Sequence, residues 1–154
     1  MHPIFARLRP QLERAKEEMA RLAAFRDGAS FPDERTARWG IAVATAAAVE
    51  NVYGGVEEIL KSIAANIDES LPRGDQWHRE LLDQMAVAVD ARPALMTAEL
   101  RDQLDELRQF RHLVRHRYGS ELEPARVEAM YRLCEAAVAE FERQFTRLGA
   151  ELSG

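Results

Sequence analysis

At 154 residues, with 47% hydrophobic and 31% charged residues, the chain is long enough to bury a core of its own and too apolar for wholesale disorder. No apolar run approaches the roughly 18 residues that span a bilayer, and a formal net charge of −5 speaks against broad, nonspecific nucleic-acid binding. The one cysteine, Cys134, excludes an internal disulfide, and the opening MHPIFARLRP has no apolar signal-peptide core, so a cytoplasmic location is the default expectation.

Helical periodicity runs through almost the whole chain and β-branched runs are scarce. A first helix is predicted over about residues 3–25, with Ile4, Leu8, Leu12, Met19 and Leu22 on one side and an Asp27-Gly28-Ala29-Ser30 stop behind it. A long second helix is predicted over 32–67, with Ser30 or Asp33 as its cap and Gly54-Gly55 as a point of bending. After a turn at residues 71–75, the third covers about 76–89 and closes before Pro93. The fourth starts after the cap Thr97 and reaches about Tyr118, where Gly119 suits a C-terminal turn. The fifth begins at Glu123-Pro124 and runs to about Leu148. Short links between long helices give the expected fold: one all-α domain over residues 1–154, an antiparallel bundle of about five helices.

The fourth helix carries the chemistry. Leu100, Leu104, Leu107, Val114 and Tyr118 follow three-and-four spacing, and Arg111 stands in the same stripe where an apolar residue belongs. A charge on a buried stripe is either paired or faces a cleft or interface. Residues 108–118 read RQFRHLVRHRY, four arginines and two histidines without an acid, between acidic flanks. Such a patch on an acidic body is a focused anion site, with Arg108, Arg115 and Arg117 as candidate contacts to a phosphate backbone.

Within the patch, Arg111-His112-x-x-x-His116-x-Tyr118 is an R-x4-H-x-Y arrangement at a helix end. It resembles the signature of the HEPN superfamily and, through the tyrosine two residues after the histidine, its HepT branch. ENVYGGVEEILKSIA on the second helix and RGDQWHRELLDQM before the third are also similar to HepT sequences, so the likeness runs from about residue 35 onward. The resemblance implies a homodimeric, metal-independent ribonuclease toxin without a cofactor. Its catalytic residues would be Arg111, His112 and His116. It also implies an antitoxin partner, a minimal nucleotidyltransferase that silences the nuclease by adding AMP to Tyr118, and with which higher hetero-oligomers form. A non-catalytic member of the same superfamily, serving as a binding partner or antidote of a nucleotidyltransferase, is the other reading; the intact Arg111 and His116 favour the enzyme.

The residue types fit RNA cleavage by the substrate's own 2′-hydroxyl. Histidine exchanges protons near neutrality, and arginine holds two phosphate oxygens at once. Positions five apart on an ideal helix differ by roughly 140°, so Arg111 and His116 share no face of a straight helix. Either the helix distorts, or two chains assemble the site across a two-fold interface. His112 and His116 have the i,i+4 spacing of metal ligands, but no acid or cysteine nearby completes a set. Trp77-His78 reads either as a base-stacking pair in a groove or as a helix start packed on the core. Glu57 and Glu58 are candidates to pair with Arg111 or to form ordinary surface pairs, and Cys134 is expected to be buried.

Overall fold

The computed structural model describes residues 2–116 and 122–154. Five α-helices form among them: α1 (Pro3–Gly28), α2 (Glu34–Ile63), α3 (Trp77–Met85), α4 (Ala98–His116) and α5 (Pro124–Glu151). The only β-type pairing among the described residues is an isolated bridge between Val89 and Arg92, so the all-α expectation stands. None of the described helices is long and apolar enough to cross a membrane.

Capping follows the sequence. The Asp33 carboxylate accepts the Thr36 N–H at 2.7 Å and thereby starts α2, a bond that also holds the carboxyl below its usual range. Thr97 Oγ1 accepts the Leu100 N–H at 3.1 Å and starts α4. Helix α2 is the hub of the bundle, touching α1, α3, α4 and α5. Its buried stripe includes Val49, Val52, Val56, Ile59, Leu60 and Ile63, and it runs unbroken through Gly54-Gly55. Leu100, Leu104, Leu107 and Phe110 of α4 join this core, as do Phe141, Phe145 and Leu148 of α5. Cys134 is fully enclosed; burial pushes its thiol up to about 12, so it behaves as a small apolar residue.

Two boundaries differ from expectation. The second helix does not continue as α-helix to residue 67: Ala64–Asp68 widen into a π turn, and Glu69 then takes a left-handed conformation at φ 54°. The third helix stops at Met85 instead of 89, because Val87 and Val89 find no core and remain exposed. Both departures serve one buried ion pair. Arg92 and Asp68 have side chains 0% and 3% exposed, joined by two hydrogen bonds of 2.7 Å. Arg92 also donates to the carbonyls of Val87, Pro93 and Gln84, while Asp68 accepts from the Gln84 amide. The π turn aims Asp68, and the loop after α3 folds over to deliver Arg92. Leu95 and Met96 then bond back to the Met85 carbonyl, and Arg147 of α5 holds Ala94 and Leu95 from outside. The clasp fixes the α3 end against α2, and so fixes where Trp77 and His78 lie.

Removing Arg92 strands a buried carboxylate. Arg92→Ala is expected to lower the unfolding free energy by about 3–5 kcal/mol, whereas Arg92→Met with Asp68→Leu recovers most of that loss, because no charge then lacks its partner. Urea denaturation of the three proteins measures both; a loss under 1 kcal/mol for Arg92→Ala would contradict the clasp.

Candidate active site

Arg111 leaves α4 on the side of α2, and its side chain is 16% exposed. Nη1 lies 4.0 Å from Glu57 Oε1, and the guanidinium stands 5.8 Å from the centre of the Tyr53 ring. Residues 53 and 57 are one helical turn apart, so α2 offers Arg111 an aromatic face and a carboxylate from one side. Gly54 lies between them: a Cβ there would come within 4.0 Å of Arg111 Nη2, and a longer side chain would cover the guanidinium.

The pair with Glu57 is long, and among the described residues Arg111 donates no hydrogen bond. Its Nε is buried without a partner, as is the Tyr53 hydroxyl. A charge at position 111 of the apolar stripe must be paired or face a cleft. The structure places it against a buried carboxylate, with its donors still available for two oxygens of an anion.

Glu57 is 4% exposed, one of few buried polar residues among those described. Its second oxygen, Oε2, meets His78 Nδ1 at 2.7 Å. The imidazole is stacked on Trp77 with ring centres 3.5 Å apart, and Lys61 Nζ stands 5.4 Å above the indole. Trp77 and His78 therefore open α3; Trp77 packs on the core's edge, and His78 shares the Glu57 carboxylate with Arg111. Glu58, the neighbouring acid, pairs with Lys61 at the surface.

The remaining motif residues diverge. Helix α4 is regular through His116, so a distortion that would swing His116 to the Arg111 side is absent within the described residues. His112 and His116 are both exposed, packed edge to face with ring centres 4.5 Å apart. Arg108 is tied to Asp105 at 2.8 Å. Burial works against the Asp105 carboxylate, but hydrogen bonds from Arg108 and Gln109 outweigh it and hold its pKa below the ordinary value. Arg115 reaches across to Glu50 of α2 at 2.8 Å. Such part-exposed pairs are worth little. Arg117 and Tyr118 lie outside the described residues. No group of three or more His, Cys, Asp or Glu among the described residues is placed to hold a metal ion.

The link from Glu57 to His78 is the feature that sequence reasoning missed. Both residues drew notice, but 21 positions, a π turn and a loop separate them, and no local pattern joins them. A family model described as "HepT-like protein" matches residues 44–152, a span that contains Tyr53, Glu57, His78, Arg111 and His116. No curated protein and no solved structure matches the chain.

Tyr53 gives this geometry a pH signature. Burial, and then the negative charge of Glu57, push its phenol well above its ordinary value of 10.0. A raised folded-state pKa contributes stability that is complete below the unfolded-state value of about 10 and is lost as pH rises above it, because only the unfolded chain releases the proton. Wild type should therefore lose more stability than Tyr53→Phe between pH 8 and pH 11 in urea titrations. Equal losses would mean that the phenol ionises freely in the folded protein.

Proposed function

The chain belongs to the HepT-like protein family, and we propose that it is a metal-independent ribonuclease, the toxin of a HEPN/nucleotidyltransferase toxin–antitoxin pair. The observation that carries this reading is Arg111: a guanidinium sheltered between α2 and α4, with a distant counter-ion and, among the described residues, no hydrogen bond donated. That is the form of a group kept to hold a phosphate whose charge grows during reaction.

Cleavage runs by attack of the 2′-hydroxyl on the adjacent phosphorus and needs a base, an acid and a cation. Arg111 is the cation and His116 one of the proton carriers, with His112 packed against its ring. The regular helix keeps His116 on a different face from Arg111, so the reading includes a homodimer in which His116 of one protomer serves the cleft of the other. Arg108 and Arg115 would exchange their carboxylate partners for RNA phosphates, and Arg117 is proposed to join them. Tyr118, two residues beyond His116, is the proposed AMP acceptor. An adenylyl group there brings a phosphate that competes with RNA for the arginines and a base that blocks the cleft, so silencing needs no refolding.

His116→Ala should lower cleavage of total RNA at least about 100-fold with an almost unchanged melting temperature, and wild-type cleavage should persist in chelator. Tyr118→Phe should keep most activity, gain no AMP mass with a nucleotidyltransferase antitoxin and ATP, and escape silencing. A folded His116→Ala protein with full activity contradicts the catalytic assignment. A Tyr118→Phe protein that gains AMP and is silenced like wild type contradicts the switch.

A further inference from the structure

Resting on the reading of the chain as an RNA-cleaving enzyme, we propose that His78, oriented by the buried Glu57, is the general base that activates the 2′-hydroxyl of the RNA bound at Arg111. Two proton carriers are required, and the α4 geometry supplies no imidazole on the Arg111 side from its own helix. His78 stands there. The carboxylate of Glu57, 6% exposed in its side chain, has one oxygen 2.7 Å from His78 Nδ1 and the other 4.0 Å from Arg111 Nη1, so the imidazole and the guanidinium flank one fixed group.

The contacts define how His78 would act. A carboxylate at 2.7 Å calls for the proton on Nδ1 and leaves the Nε2 lone pair as the acceptor. When Nε2 gains a proton, the imidazolium lies against the Glu57 anion, which stabilises it as in other carboxylate–histidine pairs. The ring cannot easily turn away, because Trp77 is stacked on one face at 3.5 Å between centres. It is nevertheless 38% exposed, open enough to meet a ribose. Nothing in the stability of the fold requires this arrangement: a buried carboxylate with a half-exposed histidine is a costly way to fill space, and apolar residues would pack as well.

In the step itself, His78 Nε2 removes the 2′-hydroxyl proton and O2′ forms a bond to phosphorus. The bond from phosphorus to O5′ breaks, and O5′ takes a proton from the His116 imidazolium. The products are a 2′,3′-cyclic phosphate and a 5′-hydroxyl, with no change of oxidation state. Glu57 is a positioning residue: it touches His78 and Arg111, not the substrate.

The test uses a synthetic RNA spanning a linkage that wild type cuts in total RNA, made once with the natural O5′ and once with sulfur in its place. A thiolate leaves without a proton, so loss of an acid is masked on the sulfur substrate and loss of a base is not. His78→Ala is expected to be at least about 100-fold slow on both RNAs and to regain activity with added imidazole, while His116→Ala recovers on sulfur alone. His78→Asn keeps an N–H for Glu57 but accepts no proton; it covers the case in which alanine unfolds the protein, and it should be as slow as alanine. A folded His78→Asn protein within a few-fold of wild type, or recovery of His78 variants on the sulfur RNA, overturns the proposal. If wild type cuts no RNA at all, the ribonuclease reading fails first, and the base assignment fails with it.

Discussion

Glu57 is the constraint on which the arrangement turns. A carboxylate withdrawn from water is costly unless its charge is answered. Here the answer comes from two directions, His78 on α3 and Arg111 on α4, neither of which could hold its place as well alone. The guanidinium occupies a position that the helix pattern reserves for an apolar side chain, and it does so because α2 presents an acid and an aromatic ring one turn apart. Gly54 keeps the surface beside them low. Long separation and a missing hydrogen bond make the Arg111 pair the weak one, while the short bond to His78 is the firm one.

The rest of the bundle holds those three helices in register. Helix α2 contacts every other helix, so its face at residues 53–57 is fixed by the whole core. Helix α3 is short, held to the core by Leu81, Leu82 and Met85. The Arg92–Asp68 pair adds a second hold by locking the π turn after α2 to the loop after α3. In this way a buried ion pair at one end of α3 sets the position of His78 at the other. The same economy explains why α3 ends four residues early: the chain leaves the helix to bring Arg92 inward.

Much of this was legible in the sequence. The 3.6-residue periodicity gave the helical class, Asp33 and Thr97 gave true starts, and the lone charge at 111 on an apolar stripe flagged a paired or cleft-facing arginine. The 100° per residue of an ideal helix also anticipated that Arg111 and His116 would point apart. What stayed hidden depends on contacts between distant segments. Arg92 sits before a proline in a loop-like stretch, and nothing local says that it is enclosed. Glu57 looks like one of two surface acids until α3 is laid against it. His78 looks like half of an aromatic helix start. Periodicity reports which face an element buries, not which two polar groups from separate elements will meet there.

The most direct measurement is a crystal structure with RNA made uncleavable by a single 2′-deoxy sugar at the scissile linkage. The geometry predicts that the Arg111 guanidinium leaves Glu57 for the non-bridging oxygens of that phosphate, with the His78 ring, still bonded to Glu57, facing the sugar's 2′ carbon. RNA lying on another surface, with Arg111 unmoved against Glu57 and His78 remote from any sugar, would contradict it.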